Sequence, residues 1–490
     1  MNDKKNKDKN LSDAALYTLG GTALAAAPAV YQKHYNDSFV PKGDKNKLLI
    51  LTEGGAKSFG GKGHEAAAKA LYEAQVSKHG PDSAKIMNIT DYSLLDAQHK
   101  ITRWGFQNFT SQDAPAINKL TAAAVFPLSY IAQKPVNRGK VTEEIRNFSP
   151  DRAVAFHPDG VNLVKHTGIR PEVVVTDYGT GKFPVNFFWD ASRGWIIRKP
   201  GQVSHVHAPS DEGLNLVSET PSSRISTVPA NVKNFISDKP KSTKRKFLVY
   251  DNEGSLRPNQ TLNLDPSKKF IAVTGSSTGA DVESMVEKLL QSKRQDFQLY
   301  TVTGNNKALA DNLASKFSND PRLLIQGFDK QWPEVVQAAD FVVARPHGLT
   351  GTELAYTKTP TMSVLTNAKD GVYDDSYGIH LVGNSEAYEK DFAMPRAAIH
   401  TKNSPNEDLL SNFEKHLDNL PDLNAKALER AQKMSGVNAA EEVLNAGNKT
   451  KFEVAKVSPY TKGLAYTGAA ALGATGLYKL YKHHEQKRKK

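Results

Sequence analysis

The chain has 490 residues, 39% of them hydrophobic, which is apolar material for roughly two to three domains and excludes a wholly disordered protein. Lys and Arg number 64 against 52 Asp and Glu, and the net charge of +12 favours anionic partners (lipid headgroups, nucleic acid, sugar-nucleotide phosphates) without choosing among them. The absence of cysteine excludes a disulfide scaffold, a Cys-ligated zinc and a thiol nucleophile.

The N-terminus is basic, with Lys4, Lys5, Lys7 and Lys9, and leads into an apolar stretch over 14–31 that reads AALYTLGGTALAAAPAVY. A counterpart over 463–478, GLAYTGAAALGATGLY, precedes a basic tail ending in Lys487, Arg488, Lys489 and Lys490. Both are rich in Ala and Gly, and both are followed by Lys and His, which points to one job done twice. They are shorter than the about 20 strongly apolar residues of a spanning helix, so paired or shallow contact with an anionic membrane surface is expected from short apolar helices at both termini, the alternatives being a secretory signal at 14–31 and plain soluble helices.

Between these ends the pattern is α/β. Short apolar runs at 48–51, 85–89, 153–156 and 173–176 alternate with helical stretches, the first over 64–76. A polar, basic, Pro-containing stretch at 238–247 reads as a linker. The alternation then restarts with strands expected at 270–273, 298–302, 323–325 and 341–344 and a helix at 282–290. This predicts two parallel-sheet halves facing a cleft. The expected boundaries are 1–44 for the N-terminal segment, 45–240 and 241–440 for the halves, and 441–490 for the C-terminal segment and tail.

Three loops carry candidate chemistry. Gly61, Lys62, Gly63 and His64 follow the first strand and open a helix, where glycine lets backbone approach a ligand and free N–H groups face an anion. The loop lacks the Lys-Ser/Thr of a Walker motif, and a tight strand-to-helix turn is the simpler reading. Gly275 and Ser276 sit in a second Gly-rich turn, suited to a diphosphate or again to a plain turn. In the third, Arg345, His347, Gly348, Leu349, Thr350 and Glu353 put a fixed cation, a helix start and a carboxylate together, suited to a pyrophosphate and a ribose. The alternative there is a solvated helix start with Glu353 as a capping residue.

The run from Gly61 through His64 to Leu71 (GKGHEAAAKAL) resembles the opening of the lipid-directed glycosyltransferases of GT-B fold. That group contains monogalactosyldiacylglycerol synthase, the processive diacylglycerol glucosyltransferases and the GlcNAc transferase of peptidoglycan-precursor synthesis. Further matches keep the family's order: Pro150-Asp151 to His157-Pro158, Val174 to Tyr178, Thr303 to Asn306 with Leu309, Gln326-Gly327-Phe328 to Asp340, and Arg345 to Glu353. The resemblance covers about residues 47–381.

It implies two Rossmann-like αβα domains, the first taking a membrane lipid or lipid-linked acceptor and the second a nucleotide sugar, usually UDP-linked. His64 would act at the reaction centre, with Asp177 a second candidate base. Phe328 would lie along the nucleobase and Glu353 would hold the ribose. Gly275, Ser276 and the turn from Arg345 to Thr350 would line the diphosphate, with Gly304 and Asn305 on the donor side. No cofactor, metal or nucleic acid is expected. The chain departs from the family at His347, which stands where glycine is usual, at 365–371, which has no match to the family's sugar-contacting segment, and at Phe183 to Trp189. A stretch with Trp104, Phe106, Phe109, Phe126 and Tyr130 reads either as a membrane-facing surface or as core. The rivals are a sugar-nucleotide epimerase, which shares the fold without needing membrane segments, and a degenerate GT-B fold serving as a membrane-bound scaffold.

Overall fold

The computed structural model describes residues 39–53, 63–92, 138–179, 202–211, 214, 220–236, 242–275, 279, 281–374 and 379–453. The terminal apolar segments, the aromatic stretch from Trp104 to Tyr130, the Phe183 to Trp189 stretch, and Gly61, Lys62 and Ser276 lie outside the described residues.

The first half runs β1 (Leu48–Thr52), α1 (Gly63–His79), β2 (Ala84–Asn88), α2 (Arg138–Phe148), β3 (Arg152–Ala155), α3 (Pro158–Val164), β4 (Ile169–Arg170), β5 (Glu172–Val174), β6 (His205–Ala208) and β7 (Ser222–Arg224). Its sheet is parallel with order β2-β1-β3-β5-β6-β7. β1 is buried along its whole length and apolar from Leu48 to Leu51, because both faces of a parallel strand are covered. Its alternate residues serve two cores: Leu48 and Ile50 pack on one side, Leu49 and Leu51 on the other.

The second half opens with an antiparallel hairpin, β8 (Lys246–Tyr250) and β9 (Leu256–Asn263). It continues through β10 (Lys269–Thr274), α4 (Val282–Leu290), β11 (Phe297–Val302), α5 (Lys307–Lys316), β12 (Leu323–Gln326), α6 (Trp332–Ala338), β13 (Phe341–Ala344) and α7 (Gly348–Ala355). Then come β14 (Thr361–Lys369), β15 (Val372–Asp374), α8 (Ile379–Phe392), β16 (Arg396–Lys402), α9 (Leu409–Asp418), α10 (Leu420–Met434), α11 (Ala439–Asn445) and β17 (Lys451–Phe452). The sheet order is β12-β11-β10-β13-β14, with β16 parallel to β14 on its far edge and β15 antiparallel to the last residues of β14. Counted within this half, the parallel strands follow 3-2-1-4-5-6, the dinucleotide-fold order.

Two expectations need correction. The linker read at 238–247 extends too far, because Lys246 and Phe247 already belong to β8. Phe247 is buried against Phe270 and Tyr300, while its exposed neighbours on this two-stranded ribbon give the segment its polar look. The C-terminal segment likewise does not separate at 441. α11 packs on α1, and β17 pairs with β4 of the first half. One apolar cluster also joins the halves, with Ile50, Phe156 and Tyr178 of the first in the same core as Tyr388 and Phe392 of the second.

Candidate functional site

In a parallel sheet, ligands gather beyond the carboxyl ends of the strands where the order reverses. That reversal falls between β1 and β3 in the first half and between β10 and β13 in the second. The segments leaving these four strands carry Glu53 and His64, His157 and Asp159, Gly275, and Arg345 to Gly348. Asp177 follows β5 on the same edge as His64, and Gly304 and Phe328 follow β11 and β12 on the same edge as Gly275.

His64 is the second residue of α1, and its Nδ1 lies 3.2 Å from Thr176 Oγ1. Its ring meets His157 edge to face, with centroids 5.0 Å apart. His157 Nε2 is 3.3 Å from Glu53 Oε2, and its Nδ1 is 3.3 Å from Asp159 Oδ2. Both carboxylates are nearly inaccessible, and the imidazole between them gives each a polar partner in place of water. The ligand atoms of Glu53, His157 and Asp159 lie within 4.8 Å of one another, a grouping that has the donors for a divalent cation. The sequence reading named His157 only as the end of a family-like segment and did not single out Glu53 or Asp159. Their signal was faint: one acidic residue after β1, and a His-Pro-Asp start to α3 far along the chain.

The second half presses α7 directly on this edge. A Cβ on Gly348 would fall 1.8 Å from Thr176 O, and a Cβ on Gly63 would sit 3.9 Å from Leu349 Cβ. Gly351 is required for a similar reason, since its Cβ would enter the Tyr388 ring. The Tyr388 hydroxyl in turn donates to the His347 carbonyl. His347 stands at the start of α7 without capping it through its side chain.

The seam is held by Asn384 of α8, which is fully buried. Its Oδ1 accepts from Tyr178 N at 2.6 Å and Gly179 N at 3.3 Å. Its Nδ2 donates to Asp177 Oδ1 at 3.1 Å and to Pro346 O at 3.0 Å. Tyr178 adds a 2.7 Å hydroxyl contact to Thr352 Oγ1. Asp177, a candidate base on sequence grounds, is therefore oriented by a residue of the opposite half that sequence reading missed. Asn384→Ala is expected to lower stability by about 1–3 kcal/mol for each buried amide left unpaired, measured by urea unfolding.

Arg345 is buried and ion-paired with Asp281, the residue before α4. Asp281 also accepts from Thr366 Oγ1 at 3.3 Å. The sequence alone placed Arg345 beside a diphosphate; the structure gives it a carboxylate with which any such anion must compete. Glu353 occupies the sixth position of α7, which removes the capping reading, and burial pushes its carboxyl up to about 8. Among the described residues no donor reaches that carboxylate. A carboxyl raised this way favours the fold at low pH, and the contribution is lost as pH rises from the ordinary carboxylate range towards 8. Leu349 and Thr350, in the first turn of α7, are half-buried.

On the remaining donor-side positions, Gly304 turns with φ +61° and its carbonyl accepts from Asn252 Nδ2 at 2.7 Å, while Asn305 is exposed. Phe328 is half-buried, lies over the β8–β9 turn close to Gly254, and donates its N–H to Asp251 O at 2.9 Å.

Two parallel-sheet halves that meet along the carboxyl edge of each, with glycine-rich segments on both sides, define an α/β protein of the GT-B type. No family model matches the chain. It is 29% identical over 93 residues to the processive diacylglycerol β-glucosyltransferase of Staphylococcus aureus, a match covering 19% of this chain and 24% of that enzyme. The matched part thus spans about a quarter of the curated relatives' length. Among solved structures, MurG of Acinetobacter baumannii aligns at a TM-score of 0.44 and 14% identity, covering 82% of this chain and 98% of its own. A UDP-GlcNAc 2-epimerase of Neisseria meningitidis bound to UDP-GlcNAc aligns at 0.47 and 11%, covering 82% and 99%. Over those 93 residues the chain is similar in sequence to a diacylglycerol glucosyltransferase.

Proposed function

We propose that this protein is a glycosyltransferase that moves a sugar from a nucleotide sugar, UDP-linked, to a hydroxyl of a membrane lipid or lipid-linked acceptor. The observation that carries the reading is the opposition of His64 and Asp177, on the edge of the first half, to the N-terminus of α7 on the second, with Gly348 against Thr176. The acceptor hydroxyl loses its proton to His64 or Asp177 and attacks the anomeric carbon, while the nucleoside diphosphate departs. Amide groups at the start of α7, and Arg345 once it exchanges Asp281 for phosphate, would stabilise that departing charge. Glu353 would hold the ribose, its ionised form favoured by the hydroxyls it accepts from.

Membrane attachment belongs to the same reading. No helix among the described residues is long and apolar enough to cross a membrane, so the contact is assigned to the segments at 14–31 and 463–478. A nucleotide-binding scaffold without turnover is the second reading, favoured by the Arg345–Asp281 pair.

The test is UDP binding by calorimetry on the whole chain. Glu353→Ala is expected to weaken it by about 1–3 kcal/mol, roughly 5- to 150-fold. No UDP binding by the unaltered protein would sink the donor assignment. Binding without sugar transfer to any lipid hydroxyl would select the scaffold.

A further inference from the structure

Three donor side chains from separate parts of the first half come together beyond the carboxyl ends of β1 and β3. Glu53 is the residue after β1, His157 is the residue before α3, and Asp159 is the second residue of α3. Gly160 permits the approach: a Cβ there would lie 2.9 Å from Leu51 Cβ and 3.2 Å from Ala155 Cβ, so the start of α3 presses on both strands. Glu53 is 3% exposed and Asp159 6%, so two carboxylates leave water at one place. Taking ionised carboxylates out of water is costly unless a counter-charge accompanies them. A divalent cation matches their combined charge and leaves the imidazole neutral, the form in which it ligates a metal.

The spacing points the same way. His157 Nε2 lies 3.3 Å from Glu53 Oε2, and Nδ1 lies 3.3 Å from Asp159 Oδ2. A charged N–H···O pair closes to about 2.7–2.9 Å. Arg152 and Glu172 of the same half do so, at 2.9 and 2.7 Å. Two donors that each sit about 2.0–2.1 Å from one ion stand about 3–3.4 Å apart. The ligand atoms of all three residues lie within 4.8 Å of one another, which no other such group among the described residues achieves. We propose that Glu53, His157 and Asp159 form a site for a divalent first-row cation. Imidazole suits Zn2+ and carboxylates suit Mn2+, so these two ions are its probes. Whichever ring nitrogen takes the ion, the other keeps its proton and faces the remaining carboxylate, the kind of partner that orients a ligating imidazole. Asp159 N, which donates to Nδ1 at 3.3 Å, gives up that contact when the nitrogen is metallated or protonated. Three protein ligands leave a position open to water or to an oxygen of a bound molecule. The His64 ring packs edge to face on His157, so the ion lies beside the candidate base, whereas Arg345 and its Asp281 partner belong to the other half. The site is thus distinct from the turn assigned to the diphosphate, and it stands whether or not the chain transfers sugar. The sequence expectation of no metal is corrected here only by folding, because a long stretch of chain separates Glu53 from His157.

The test uses the full chain, freed of metal by dialysis against EDTA. It is titrated with Mn2+ while electron paramagnetic resonance follows the free ion, and with Zn2+ by calorimetry. One Mn2+ per chain is expected. Glu53→Gln and His157→Gln are each expected to weaken binding at least tenfold, since even a group that only orients a ligand is worth about 10- to 100-fold. Glu53→Gln keeps the size and hydrogen-bonding reach of the side chain and so isolates the loss of charge; Asp159→Asn serves in its place if that variant does not fold. Urea unfolding gives a second readout: saturating Mn2+ should raise the midpoint of the unaltered protein and leave that of the variants unmoved. No binding of either ion by the unaltered chain at millimolar concentration overturns the site. Binding that survives in both variants overturns it too, because the ion then sits elsewhere. Ion binding without UDP binding removes the donor assignment and leaves this site standing, and UDP binding without ion binding does the reverse.

Discussion

Glu172→Ala is expected to destabilise the protein by about 3–5 kcal/mol, because it leaves a buried guanidinium without its counter-charge. Arg152 and Glu172 are joined by two hydrogen bonds, at 2.9 and 2.7 Å, and His207 Nε2 lies 2.9 Å from Glu172 Oε2. Burial by itself would raise the carboxyl, but hydrogen bonds and charge from His207 and Arg152 outweigh it and hold Glu172 down at about 2. Its stabilising contribution is therefore complete above the ordinary carboxylate range and is lost as pH falls from about 4.5 towards 2. Urea unfolding at pH 7 and at pH 3 checks both statements. The variant should lose most at pH 7, with a smaller gap from the unaltered protein at pH 3. An equal loss at both would mean that the carboxylate charge contributes nothing. The same change should loosen residues 443–453, since Lys449 N and Thr450 Oγ1 bond to that carboxylate.

His64→Ala is expected to cut turnover by about two to four orders of magnitude while changing UDP affinity less than threefold. The imidazole stands at the start of α1, at the lip of the first half, with Nδ1 set by Thr176 and the ring packed edge-on to His157. It is half-buried. Single-turnover transfer from a UDP-sugar to a lipid acceptor, alongside calorimetry with UDP, separates the two quantities. A parallel fall in both would make His64 a structural support for the seam. If Asp177 is the base instead, His64→Ala retains substantial turnover and Asp177→Asn does not.

Much of the fold was legible because parallel strands covered on both faces are written as short continuous apolar runs. β1, β3, β10, β11 and β13 fall within one residue of the sequence expectation at either end. α4 coincides with its expected span, because Val282, Met285, Val286 and Leu289 mark a helical face. The hairpin strand β8 was not legible, since a two-stranded ribbon buries only Phe247 and half hides its last two residues, so it reads as polar linker. The antiparallel edge strand β15 was missed for the same reason, with Val372 largely exposed.

The candidate site divides in the same way. Glycine-rich turns after strands, a histidine opening a helix and the Arg345–Glu353 block follow from local chemistry, and one chain of residues states them. Contacts that require folding do not: Asn384 stands some 200 positions from Asp177, and Asp281 lies far from Arg345 in sequence. An asparagine inside a helix and an aspartate before one carry no mark of their partners.

The sequence by itself determined two αβ halves, the loops that leave their strands, and two like apolar segments at the ends, since all of these depend on periodicity and composition within a few residues. Only the tertiary structure decided that Glu53, His157 and Asp159 converge, that Asn384 binds the halves across Asp177, and that residues 39 and 453 meet at Gly168. Those are long-range contacts, selected by burial and hydrogen-bond satisfaction once the whole chain has packed, and no local pattern encodes them.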